Sequence, residues 1–265
     1  MTDVWFAYGP GISGTAMTRR VPSLIAASVL ALGAIVGGGS GSAAAATSRG
    51  FACVPPQPPS LPPASDFVSS VDNPYFPLQP GTTFLYAGQE DGQPESDKVT
   101  VTHRKKTILG IRATVVTDLV VMGGAPSEAT TDWYAQDKAG NVWYLGEDVF
   151  DYVDGQWVPA EDSWEAGVDG ARPGFIMEAH SKTGDTYAQE HFPGHAMDVA
   201  RVADTNATVS VPYGTFHHAL KTLECTSLEP GVLDVKFYAR GVGEVREATV
   251  RGGSANLELV SVRKA

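Results

Sequence analysis

Carboxylates, six histidines and two cysteines set the chemistry this chain can attempt. Glu190, His191, His195 and Asp198 place four potential metal ligands within nine residues, and His217 and His218 follow on a later segment. Zinc or copper needs three or four such groups converging on one point. On a strand Glu190 and His191 point to opposite faces, as do His217 and His218. Pro193-Gly194 breaks any helix that would align His191 with His195. At most one residue of each neighbouring pair can join a shared site, so the bland alternative is a set of surface histidines beside a turn. A second concentration is Glu161, Asp162, Glu165 and Asp169 around Trp164. Paired carboxylates at a suitable separation hydrolyse glycosides, and a Gly-rich acidic loop can wrap calcium. An acidic surface loop around one buried Trp has the same composition. The third set is aromatic: Trp133, Tyr134, Trp143 and Tyr144, with Tyr152 and Trp157 nearby. In alternating strands each adjacent pair splits between the two faces. One face then packs the core, while the other lines an apolar ligand cavity or joins the core through cross-strand packing.

Other chemistries lack their residues. The chain after Ala46 has no Gly-x-Ser-x-Gly elbow, no His-Glu-x-x-His pair and no Gly-x-x-x-x-Gly-Lys phosphate loop. No cofactor is expected, calcium and zinc being the only candidates that the acidic and histidine clusters raise.

The elements that must position these residues read as strands. From Asn73 onward β-branched and aromatic residues dominate, punctuated at short intervals by Gly, Asp and Asn. Strands are expected at 82–86, 98–109, 111–122, 130–136, 142–145, 150–153, 156–158, 186–192, 199–203, 208–211, 216–226, 232–240, 244–250 and 257–262. Asp137 to Asn141 and Asp154-Gly155 read as hairpin turns. Residues 160–184, rich in Gly and acid, read as a long ordered loop. No long segment shows a 3.6-residue apolar period. The expected fold is all-β, a large curved antiparallel meander, open or partly closed as a barrel, with few short helices. A sheet of this size curls or closes because open edges invite aggregation.

The amino terminus has a different character. Arg19-Arg20, the apolar run Val21 to Val36, a Gly/Ser stretch and Ala43 to Ala46 follow the order of a secretory signal peptide. Residues 1–46 are assigned to it, with the true start at Met17. Val21-Pro22-Ser23 after the Arg pair favours the general export route over the twin-arginine one. Residues 47–65 form a Pro-rich extended arm, with Ser65 as the cap of one short helix, and residues 66–265 a single β domain. Cleavage removes two of 19 basic and one of 30 acidic residues, leaving a net charge of about −12. Such a chain repels phosphate backbones and anionic lipid, so nucleic acid is not an expected partner. No transmembrane segment remains after cleavage. Export permits a disulfide, and Cys53 and Cys225 are the expected pair.

Four phrases carry a resemblance. They are Asn73-Pro74-Tyr75-Phe76-Pro77-Leu78-Gln79-Pro80-Gly81-Thr82-Thr83-Phe84, Thr131-Asp132-Trp133-Tyr134 running on to Val142-Trp143-Tyr144, Ser163-Trp164-Glu165-Ala166-Gly167-Val168-Asp169-Gly170, and Phe237-Tyr238-Ala239-Arg240-Gly241-Val242-Gly243-Glu244-Val245. Together they resemble a family of uncharacterised secreted β-meander proteins common in actinobacteria, over roughly Phe67 to Val262. The resemblance implies export and β architecture and transfers no site residue. The reading is an exported, non-enzymatic envelope or secreted protein, binding or structural, with an apolar small molecule or lipid as candidate ligand. The alternative is a secreted metal- or carboxylate-dependent hydrolase.

Overall fold

The computed structural model describes residues 53–264. The signal peptide over 1–46 and the start at Met17 fall outside the described residues. Fifteen strands follow one single-turn 3-10 helix, Ala64–Asp66, which is preceded by Pro63 where Ser65 was expected to cap. They are β1 Thr83–Glu90, β2 Gln93–Ile108, β3 Ile111–Met122, β4 Ala125–Gln136, β5 Val142–Val153, β6 Gln156–Pro159, β7 Trp164–Glu165, β8 Arg172–Met177, β9 Thr186–Ala188, β10 Glu190–His191, β11 Asp198–Val211, β12 Gly214–Thr226, β13 Leu233–Ala239, β14 Gly243–Arg251 and β15 Asn256–Arg263.

All strand pairings are antiparallel, and they run β10-β8-β5-β4-β3-β2-β1-β15-β14-β13-β12-β11-β9. The two ends of that order are halves of one segment, separated only by Gln189. Residues 186–188 pair with β11 and residues 190–191 with β8. The curved sheet is therefore a nearly closed barrel whose seam is one short stretch of chain. Closure removes the two long edges that an open sheet would expose.

Tight turns join the long strands. Leu109-Gly110 and Asp154-Gly155 all have positive φ (49°, 80°, 51° and 83°), the conformation that matches the twist of a two-residue hairpin. Residues 160–184 are not a loop: they contain β7 and β8. Arg172, Pro173 and Gly174 are weak strand formers, and Gly174 is required there because a Cβ would collide with the Ala188 carbonyl. Likewise 198–211 is one strand, bulged at Val202 to Val209, where two were expected.

The Pro-rich arm is fastened across the seam. Cys53 and Cys225 form the expected disulfide, with Cα atoms 5.9 Å apart, which ties the arm to β12. The arm then meets β8, where Arg172 Nη2 donates to the Pro58 carbonyl at 3.2 Å. It reaches the β4–β5 turn, where Val68 N donates to Gln136 O and Lys138 N to Asp66 O. Residues 71–80 cross one end of the barrel. There Gly241 N donates to Pro74 O, Gly81 N to Val101 O, and Tyr75 Oη to His218 O at 3.2 Å. Phe76 and Leu78 are buried against the core from this segment.

Candidate functional site

Strand alternation and register decide which side chains face the barrel interior. Tyr86 lies opposite Asp97, Asp97 opposite Val120, Asp118 opposite Thr130 and Thr130 opposite Val149. On the other side of β1, Leu257 lies opposite Glu247, Glu247 opposite Lys236, Lys236 opposite Thr222 and Thr222 opposite Val202. These positions are buried all round the ring.

The interior is chemically divided along its axis. Toward the end crossed by residues 71–80 it is apolar and aromatic: Phe84, Val99, Tyr134, Tyr144 and Leu145. That end holds a cavity of about 40 Å³ lined by Phe76, Pro77, Leu78, Phe84, Tyr86, Val99, Val242, Gly243 and Glu244. Tyr86 Oη donates to the Glu244 carbonyl at 3.0 Å and fixes one wall to another.

Away from that end the same inward positions become acidic. Glu90 on β1, Glu95 and Asp97 on β2, Asp118 on β3, Glu128 and Asp132 on β4, and Glu147 on β5 are all buried. Glu190, Asp198, Glu224, Asp234 and Glu247 continue the set around the ring. Among the described residues Lys236 is the only buried Lys or Arg. Its ammonium lies 3.6 Å from Glu224, 4.0 Å from Glu244 and 3.5 Å from Glu247. Burial alone lowers the Lys236 pKa, and the three glutamates more than reverse it.

Burial, and the neighbouring carboxyls, push several of the other interior acids toward their neutral form. Loss of hydration, then Glu90 and Asp118, pushes Glu95 up to about 8. Asp97 rises for want of hydration and because the Asp118 carboxyl lies near it. Asp132 is raised to about 8 by burial and then by Asp118, although the Tyr144 and Tyr134 hydroxyls donate to its Oδ1 at 2.7 and 3.2 Å. Glu190 is raised by burial and by Asp198, the carboxyl it meets.

The expected aromatic ligand wall is instead core. Trp133, Tyr134, Trp143 and Tyr144 are each no more than 2% exposed. The predicted split between faces is present, but both faces are covered. Tyr134 and Tyr144 stack inside the barrel with centroids 4.8 Å apart, and Phe76 packs edge-on to Tyr134. Outside, Phe67 and Phe175 cover Trp143, whose Nε1 donates to Asp137 Oδ2 at 2.9 Å. The Lys106 ammonium sits 3.1 Å from the Trp133 ring centre. None of the four lines the cavity at the crossed end.

The expected metal set is not assembled. Glu190 and Asp198 meet in the interior, whereas His195 is exposed, stacks on Phe192 and donates from Nδ1 to the Glu161 carbonyl at 2.8 Å. His191 is only half-buried at the next strand position. Among the described residues no three His, Cys, Asp or Glu side chains are placed to hold a metal ion. His217 and His218 are both exposed, because a bulge with φ of 57° at His218 breaks the alternation that would part them. Around buried Trp164 the acids disperse: Glu165 pairs with Lys106 at 2.8 Å, and Glu161 and Asp169 are exposed. Gly146 is what lets β7 approach here, since its φ is 131° and a Cβ would strike the Trp164 carbonyl.

No family model matches the chain, and no curated protein matches it. Two solved structures align with it. One is a protein of Bacteroides fragilis described as exported and of YmcC-like fold, 16% identical, covering 72% of this chain and 99% of its own, with a TM-score of 0.40. The other, described as a lipoprotein of Parabacteroides distasonis, is 11% identical, covers 71% of this chain and 98% of its own, and has a TM-score of 0.39. At these identities and scores neither passes a function to this chain.

Proposed function

We propose that this protein works outside the cytoplasm as a non-catalytic binding protein, taking an apolar group at the crossed end of its barrel. The observation that carries the reading is the cavity there, with Phe76, Leu78, Phe84 and Val99 as walls. Its size of about 40 Å³ suits a few methylenes, such as the end of an acyl chain, and not a whole lipid. Two of its walls belong to the segment that crosses the barrel end, so a ligand would touch both the sheet and its cover. The export half of the proposal is supported by the signal-like amino terminus and by the Cys53–Cys225 disulfide, a bond that persists in oxidising compartments.

A short alcohol is a suitable probe. Titration with 1-butanol, followed by amide NMR, should give saturable shifts centred on Val242 and Gly243. Val242→Phe should fill the space and abolish those shifts while keeping the melting temperature. Shifts that never saturate and spread over the whole surface would remove the binding site.

A further inference from the structure

We propose that the tip of the β2–β3 hairpin docks this protein on an anionic lipid surface, with Leu109 entering the headgroup layer and Arg104, Lys105 and Arg112 meeting the lipid phosphates. The tip comprises the turn Leu109-Gly110, the ends of β2 and β3 that lead to it, and the neighbouring Gly167-Val168.

Three observations carry the assignment. The first is the residue in the turn. Asp91-Gly92, Leu109-Gly110, Gly123-Gly124 and Asp154-Gly155 are two-residue turns with positive φ at both positions. Asp and Gly tolerate that conformation at the first position, whereas a bulky side chain is disfavoured there. Leu109 takes it at φ 49° and is still 55% exposed, so neither backbone preference nor burial accounts for a leucine. Its side chain rests against Gly167, and the next residue, Val168, is 49% exposed. The second is charge. Residues 98–117 hold five Lys and Arg and no Asp or Glu, in a chain with 30 acidic against 19 basic residues. Thr107 lies opposite Arg112 and Lys105 opposite Thr114, which puts both cations on one face of the hairpin. Burial and the nearby Arg112 both lower the Lys105 pKa. Arg104 and Arg112 are exposed, and among the described residues no ion pair involves either of them or Lys105. Of the acids at this tip, Glu165 pairs with Lys106 at 2.8 Å, and Asp169 is exposed beside Val168. The third is the combination. A soluble anion has no use for the exposed Leu109 and Val168, and a purely apolar partner has none for the arginines. A lipid surface offers phosphates and, just beneath them, acyl carbons.

The net charge of about −12 after cleavage does not forbid this. At physiological ionic strength exposed charges are screened beyond about 8 Å, so contact at the tip is governed by the tip's own cations. Two apolar side chains make a small anchor, which predicts shallow and reversible binding. The docking surface is separate from the apolar cavity and does not depend on that reading.

Phosphatidylglycerol vesicles are the probe. With the secreted protein at physiological salt, cosedimentation should be saturable on phosphatidylglycerol vesicles, slight on phosphatidylcholine vesicles, and lost in high salt. This comparison needs no variant to fold. Leu109→Asn installs a residue that the turn prefers, so the melting temperature should hold or rise while vesicle affinity falls. Arg104→Glu/Arg112→Glu should weaken binding by about tenfold or more. Arg251→Glu, at the end of β14, should bind as the parent does. Equal binding to both vesicle types, or undiminished binding by both tip variants, would overturn the proposal. Displacement by millimolar inorganic phosphate, together with indifference to Leu109→Asn, would assign the cations to a free anion instead. A tip-dependent dimer without vesicle binding would assign the surface to a second copy of the chain.

Discussion

Lys236 shows how far a residue's environment can depart from its sequence context. In Asp234-Val235-Lys236-Phe237-Tyr238 the charged residues look like the solvent side of a strand. Here they are the inside, with Lys236 1% exposed and Val235 and Phe237 on the opposite face. The period of two was legible, but its phase was not, because an acidic interior reverses the usual assignment of polar residues to the outside. The same inversion hid the candidate site. Glu95-x-Asp97-x-Val99-x-Val101 and Glu128-x-Thr130-x-Asp132-x-Tyr134 each carry acids in phase with apolar residues, and that mixture was the available signal. Since Glu224, Glu244 and Glu247 share the Lys236 ammonium, Lys236→Met should destabilise the protein by about 3–5 kcal/mol at pH 8, as expected when one partner of a buried ion group is removed. At pH 5 Glu244 and Glu247, both raised chiefly by burial, take protons, and the loss should be smaller. Denaturant melts of both proteins at the two pH values check this, and an equal loss at both would rule out the ionic role.

Among the elements, the long strands were legible because β-branched runs and Gly-containing turns coincide. Those that were missed, β7 and β8, are short and hold Pro, Gly and Trp, so their pairing comes from neighbouring backbone and not from their own preference. Trp143 could be named as a packing residue from its place on a strand. That its outer face would be covered by Phe67, 76 residues earlier, required the path of the arm. The arm bridges β12 and β8 on either side of the seam, and its covalent anchor closes a separation of 172 residues. Replacing both Cys53 and Cys225 by Ser should therefore cost about 2–5 kcal/mol in equilibrium unfolding. Hydrogen exchange should quicken first at the amides of 186–191. Unchanged stability and protection would mean that the arm merely lies on the surface.

At the scale of the whole molecule, the acidic interior governs the response to pH. Glu90 is raised to about 7 and Asp198 to about 7, chiefly by burial, and Glu95, Asp132 and Glu244 to about 8 for the same leading reason. A carboxyl with a folded pKa above its unfolded value binds more protons when folded. Its contribution to stability is complete below about 4 and is lost as pH climbs toward 8. The slope is at most about 1.4 kcal/mol per pH unit for each group. Melting temperature should then fall steadily from pH 5 to pH 8.5, the opposite of a protein stabilised by surface-paired carboxylates. A flat or rising profile would show that the interior acids are ionised and solvated in the folded state.

The pairing of β1 with β15 has a consequence for the order in which the molecule can be made. The first strand has β2 on one flank and, on the other, the last strand of the chain. During synthesis or threading from the amino end, β1 to β5 can zip together locally, but one edge of β1 stays bare until residues 256–263 emerge. Ring completion is thus a late event, coupled to the arrival of the carboxyl-terminal strand, and the nascent chain cannot lock shut before then.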